Sequence, residues 1–128
     1  MNIDLINLQK GVNAIAAVIK DDEYQQLGKS ISISAKDALS AIGSLATDYS
    51  LKAKLEIFTK NLENSYFVIR NIDKLTKEDQ LLLISFIKDR YISGISIPED
   101  LMIVATISND YSIRLLAPEL MKFLVVAI

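Results

Sequence analysis

The chain has 128 residues, of which 51% are apolar, with 14 basic against 16 acidic side chains and neither cysteine nor histidine. Without Cys there are no disulfides, thiolate nucleophiles or Cys-based metal sites, and without His the commonest metal ligand and the usual neutral-pH general base are gone. Most hydrolase, zinc and redox chemistries are thereby excluded, which leaves carboxylate-based chemistry or phosphoryl transfer through Lys, Asp, Glu and Mg²⁺.

This length suits one domain, residues 1–128, with a sizeable core. A pI near 5.1 gives no global pull towards phosphate backbones or anionic lipid, although a local basic patch stays open. The apolar run 123–128 is far short of the ~20 residues of a membrane span. No basic leader precedes an apolar core at the amino end, so a signal peptide is not expected and a cytoplasmic setting follows.

In chain order, Ile3, Leu5 and Ile6 make a short apolar start read as a strand, and Asn7 to Gly11 a turn. Val12, Ile15, Ala16 and Ile19 fall at i, i+3, i+4, i+7 and predict a helix that frays at Asp21-Asp22-Glu23. Ser30 to Ala35 alternates Ile31 and Ile33 with serines, the period of a strand with one polar face. Ser34 with Asp37 then opens a helix that carries Ala38, Leu39 and Ile42 on its apolar side. Asp48 is a second N-cap, followed by Leu51, Leu55, Phe58 and Leu62 at amphipathic spacing.

Tyr66 to Ile69 is apolar on both faces and reads as a central strand. Thr76 caps the next helix, whose apolar side is Leu82, Leu83, Phe86, Ile87 and Tyr91. Ser93-Gly94 ends it, and residues 95–100 form a connector in which Pro98 prevents continuation. Leu101 to Thr106 is the next strand. Because the two apolar runs are joined by ~30 residues holding a helix, they make one βαβ unit with parallel strands. Asp110 to Leu116 is one short helix, Pro118 starts another through Met121, and 123–128 is a last strand. Five strands with helical connections predict an α/β fold: a three-layer α/β/α sandwich with a five-stranded, mostly parallel sheet.

Ligands sit at the carboxyl edge of such a sheet, which directs attention to Arg70, Asn71, Asp73, Thr106, Ser108 and Asn109, a poor catalytic set. Gly28-Lys29-Ser30 imitates the end of a phosphate loop but precedes a strand. Asp21-Asp22-Glu23 reads as a solvated helix end before a cation site, and Asp73 as a turn or capping acid. Tyr24, Tyr49, Tyr91 and Tyr111 form no stacking platform with basic residues.

Ser32 to Ser40 resembles the second strand and following helix of AAA+ ATPases, and Tyr66 to Leu75 resembles their Walker B strand. Ile97 to Thr106 resembles the run into their sensor 1 strand, with Ser108 in place of the polar sensor and Asn109 beside it. Leu116 to Phe123 resembles the stretch before their fifth strand, with Lys122 where arginine is common. The likeness covers nearly the whole chain and is strongest over residues 66–123. It implies strand order 5-1-4-3-2, and a helical lid beyond the fifth strand that the sequence, ending at Ile128, does not carry: no lid, or a fragment.

The phosphate-loop pattern G-x-x-x-x-G-K-[ST] would fall on Asn7 to Ala14, where none of its defining positions matches. In that alignment Asn13 replaces the Lys, Ala14 the hydroxyl, Arg70 the metal-side carboxylate and Asn71 the water-activating Glu. Every catalytic role is vacant, and Arg70 would repel Mg²⁺. The vestigial positions are Asn7, Lys10, Asn13, Arg70, Asn71 and Ser108, of which Lys10 and Arg70 could still attract a free phosphate. The resemblance therefore implies a degenerate, P-loop-like AAA+ core: a pseudo-ATPase with no cofactor or metal. It would act as a binding or scaffolding subunit through a protein partner, a second copy or an active ATPase, with nucleic acid not expected. The alternative is a nucleotide-binding or weakly hydrolysing P-loop-like protein with an atypical site.

Overall fold

A computed structural model describes residues 16–27, 30–42, 65–92, 95–97 and 101–126. Four strands of five to seven residues build a parallel α/β sheet: β1 (Ala16–Lys20), β2 (Ser30–Ser34), β3 (Ser65–Arg70) and, after a small hairpin, β6 (Leu101–Ile107). The hairpin is an antiparallel pair, β4 (Tyr91–Ile92) with β5 (Ile95–Ser96). The three-residue strand β7 (Leu124–Val126) pairs beside β1, so the order across the sheet is β2-β3-β6-β1-β7, every pair parallel.

The central register follows from apolar runs that suit burial on both faces. Val68 stands level with Val104, and Val104 with Ala17. Because side chains alternate, Phe67, Ile69, Ile103, Ala105 and Val18 share one face, and Tyr66, Val68, Val104, Ala17 and Ile19 the other. The first face is covered by α1 (Ala35–Ile42), α2 (Lys77–Asp89) and α3 (Pro118–Met121), which contribute Ala38, Leu83, Phe86, Ile87 and Leu120 to its core. Phe86 sets its ring 5.9 Å from that of Phe67, tilted by 59°, a favourable aromatic geometry. Against the second face lie Tyr24 and Leu27 of a 3₁₀ segment, Asp21–Leu27. The helix expected over 48–62 lies outside the described residues.

Capping follows the sequence. Asp37 N donates to Ser34 Oγ at 3.1 Å, and Asp79 N to Thr76 Oγ1 at 3.1 Å, each removing one orphan donor from a first turn. A buried clamp joins α2 to the segment before α3: Gln80 Nε2 donates to the carbonyls of Leu75 and Leu115 at 3.1 and 2.8 Å, and Ala117 N donates to Gln80 Oε1 at 2.6 Å. Gln80 is fully buried, so these bonds offset what would otherwise be a costly desolvation.

The structure corrects four expectations. Ala16 to Ile19 is not the end of a helix but a fully buried strand; the expected strand at 3–6 lies outside the described residues. Asp21-Asp22-Glu23 opens the 3₁₀ segment in its first turn, where the peptide dipoles favour acids, rather than fraying a helix end. The helix after Thr76 closes at Asp89, with Arg90 in the left-handed region at φ 54°, and Ser93-Gly94 falls beyond it. Its apolar side is narrower than the sequence suggests: Leu83, Phe86 and Ile87 are buried, whereas Leu82 and the strand residue Tyr91 are each over half exposed. Among the described residues no helix is long and apolar enough to cross a membrane.

Candidate functional site at the carboxyl edge

The rows of the second sheet face end in polar residues. Tyr66 and Val68 lead to Arg70, and Val104 leads to Thr106, which stands level with Ile19. Asp21 comes directly after β1, so one strand turn brings its carboxylate over the ends of β3 and β6.

Arg70 Nε donates to Asp21 Oδ1 at 3.0 Å and Nη2 to Oδ2 at 2.8 Å, a two-pronged guanidinium–carboxylate pair. Thr106 is completely buried; its hydroxyl donates to Asp21 Oδ1 at 2.7 Å and accepts from Asn71 N at 2.9 Å. The Tyr24 ring lies 4.7 Å from the Arg70 guanidinium carbon, within cation–π reach. Hydrogen bonding to Arg70 lowers the Asp21 carboxyl below its ordinary range; partial burial opposes this, while Thr106 and the charges of Arg70 and Lys74 assist it. The same bond raises Arg70.

Chemically this is a closed arrangement. The carboxylate accepts three bonds, which leaves it poorly placed to act as a base, and the adjacent guanidinium opposes a divalent cation. Among the described residues no group of three or more acidic side chains could hold a metal ion. Lys20 extends the ion pairing outwards, with Nζ 3.5 Å from Glu23 and 3.7 Å from Asp110; chiefly Asp110 raises its pKa. These contacts are solvent-exposed and contribute little to stability.

Compared with known proteins, the chain matches no family model, no curated protein and no solved structure.

Of the residues the sequence singled out, Arg70, Thr106 and the backbone of Asn71 come together. Asn71 takes φ 61° and ψ 50°, a left-handed conformation that Asn tolerates better than most residues. Ser108 is exposed, and Asn109 caps the 3₁₀ segment Asp110–Leu115 by accepting from Tyr111 N and Ser112 N at 3.0 and 3.2 Å. Asp73 sits on the 3₁₀ turn Ile72–Lys74, buried, with Oδ1 unpartnered among the described residues. Asn7, Lys10, Asn13, Gly28 and Lys29 lie outside the described residues. The stretch Asn7 to Ala14, on which the phosphate-loop pattern was laid, lies there too; within the described residues the strand between β6 and β7 is Ala16–Lys20, and it leads into Asp21–Leu27. Sequence reasoning set Asp21 aside as part of a solvated helix end and Tyr24 as one of several scattered tyrosines; the usable signal was the unbroken Ala16-Ala17-Val18-Ile19 run, as apolar as Tyr66 to Ile69, ending in a charged turn.

On the β2 side of Arg70 the edge is open. A cleft of about 240 Å³ lies between Ser34, Ala35 and Lys36 on one wall and Arg70, Asn71 and Lys74 on the other.

Proposed function

We propose that this chain is a non-catalytic domain of AAA+-like, P-loop-like build that serves as a binding or scaffolding subunit through protein–protein contacts. The observation that carries the reading is the Arg70–Asp21 pair at the carboxyl edge of the sheet, because it fills with two mutually satisfied charges the edge at which parallel α/β sheets take their ligands. An arginine in the metal-side position and an acid after the first strand invert the charges that phosphoryl transfer needs. Supporting the kinship is the strand order β7-β1-β6-β3-β2, which reads as 5-1-4-3-2 when only these strands are counted. The partner in this reading is a second copy or another chain, an active ATPase among the candidates, and β7 at the sheet edge is the element offered to it.

The test is turnover. Mg-ATP hydrolysis should equal a no-protein blank. A measurable kcat that Asp21→Ala or Asn71→Ala abolishes would replace this reading with that of an atypical nucleotide-binding or weakly hydrolysing enzyme. For self-association, light scattering at micromolar concentration should give a mass above 14.3 kDa.

A further inference from the structure

The cleft between the ends of β2 and β3 concentrates positive charge on a chain that is acidic overall. Three cationic side chains line it. Arg70 is balanced by Asp21, to which it commits Nε and Nη2. Lys36 and Lys74 are exposed and make no ion pair among the described residues; the Lys74 charge acts on Asp21 as well, so the three cations exceed that one carboxylate by about two charges. Asp37, in the same helix turn as Lys36, does not line the cleft.

The backbone adds donors of the same sign. Ser34 Oγ takes the N–H of Asp37, which leaves the Ala35 and Lys36 amides of α1 without an intrahelical acceptor at the cleft wall. Across from them Asn71, in its left-handed turn and anchored through its N–H to Thr106, forms part of the cleft wall. At about 240 Å³ the space is below the ~300–1,000 Å³ that encloses a whole small-molecule ligand. It suits a charged head group with several acceptor oxygens.

We propose that this cleft binds a phosphate group, as the free ion or as a phosphate monoester, held by Lys36 and Lys74 with the first amides of α1. The dianion matches this excess of about two positive charges, and its tetrahedral oxygens can accept from both walls at once. The site is separate from the Asp21–Arg70 pair, and phosphate need not displace it.

The experiment is calorimetric and NMR titration of the folded chain with inorganic phosphate and, separately, glycerol 3-phosphate, with ionic strength held by chloride near 0.15 M. Saturable millimolar or tighter binding is expected, with the largest amide shifts at Lys36 and Asn71. Tighter binding of the ester assigns a monoester ligand, and equal or weaker binding assigns the free ion. Lys36→Gln and Lys74→Gln should each weaken binding roughly five- to tenfold, as loss of a charge-assisted contact does. Lys88→Gln, a lysine stacked over the Phe123 ring, should bind as wild type does. Three results would overturn the proposal: no saturation below about 50 mM, a folded double variant with wild-type affinity, or an equal loss in Lys88→Gln. Both cleft lysines are exposed, and circular dichroism of each variant checks that the fold persists.

Discussion

Arg70 borders two places on the carboxyl edge of the sheet. Towards β6 and β1 it is gripped by Asp21, with Thr106 completing the contact; towards β2 it lines a cleft together with Lys74 on its own wall and Lys36 on the other. The first place satisfies its own charges and hydrogen bonds, so its interactions contribute to stability and leave little for a ligand. In the second, Lys36 and Lys74 make no ion pair among the described residues, and this is the capacity that the proposed anion would use. Adjacent stretches of one edge thus differ because an acid comes after β1, whereas β2 runs into a helix whose first turn brings Lys36 to the cleft.

The sharpest way to break this contrast is to remove the acid. Asp21→Ala deletes three hydrogen bonds and strands Arg70 and the Thr106 hydroxyl, and should cost about 2–4 kcal/mol in urea unfolding. Lys36→Gln and Lys74→Gln should stay within about 0.5 kcal/mol of wild type. If the lysine variants prove the costlier ones, the assignment of roles is wrong.

Next in size is Thr106→Val. It keeps the shape but orphans the Asn71 N–H and removes one donor to Asp21, for an expected loss of about 1–3 kcal/mol. An unchanged midpoint would mean that the buried hydroxyl is not part of the network.

Acid should act on the closed stretch alone. The folded Asp21 carboxyl lies below its ordinary value of 3.8. The stability it contributes is therefore fully present above that value and is lost as pH falls through the lower, folded one. Wild type should lose stability relative to Asp21→Asn between about pH 5 and the bottom of the acid range, with parallel behaviour at neutral pH. Identical acid profiles for the two proteins would contradict the network.

The smallest effect concerns the turn between the two places. Asn71→Gly should be neutral within about 0.5 kcal/mol, and Asn71→Val should cost about 1–2 kcal/mol, because a β-branched residue resists the left-handed region. Equal thermal midpoints would show that the conformation is not imposed.

How much of this was legible depended on how ambiguous each period was. Tyr66 to Ile69 and Leu101 to Thr106 are apolar on both faces and were readable as neighbouring central strands; Ser34 and Thr76 announced their helices through their own cap chemistry. Ala16 to Ile19 was misread because Val12, Ile15, Ala16 and Ile19 also satisfy a helical stripe, and a short apolar run cannot choose between the two periods. That one misreading put Asp21 at the fraying end of a helix instead of directly after a strand. Arg70 and Thr106 were visible as strand ends, but their partner is 49 and 85 residues away, a pairing no local pattern encodes. Gln80 left no trace either, because a glutamine in a charged first turn looks solvated until the fold brings Leu115 and Ala117 against it.

The central claim is that Asp21 and Arg70 close one stretch of the edge by binding each other, and a double-mutant cycle measures that directly. Unfolding free energies of wild type, Asp21→Ala, Arg70→Ala and the double variant isolate the pair from its surroundings. The account predicts a favourable coupling of about 1–2 kcal/mol, reduced from the value of a buried pair because the Arg70 side chain is 38% exposed. Additive single effects, with coupling indistinguishable from zero, would contradict it.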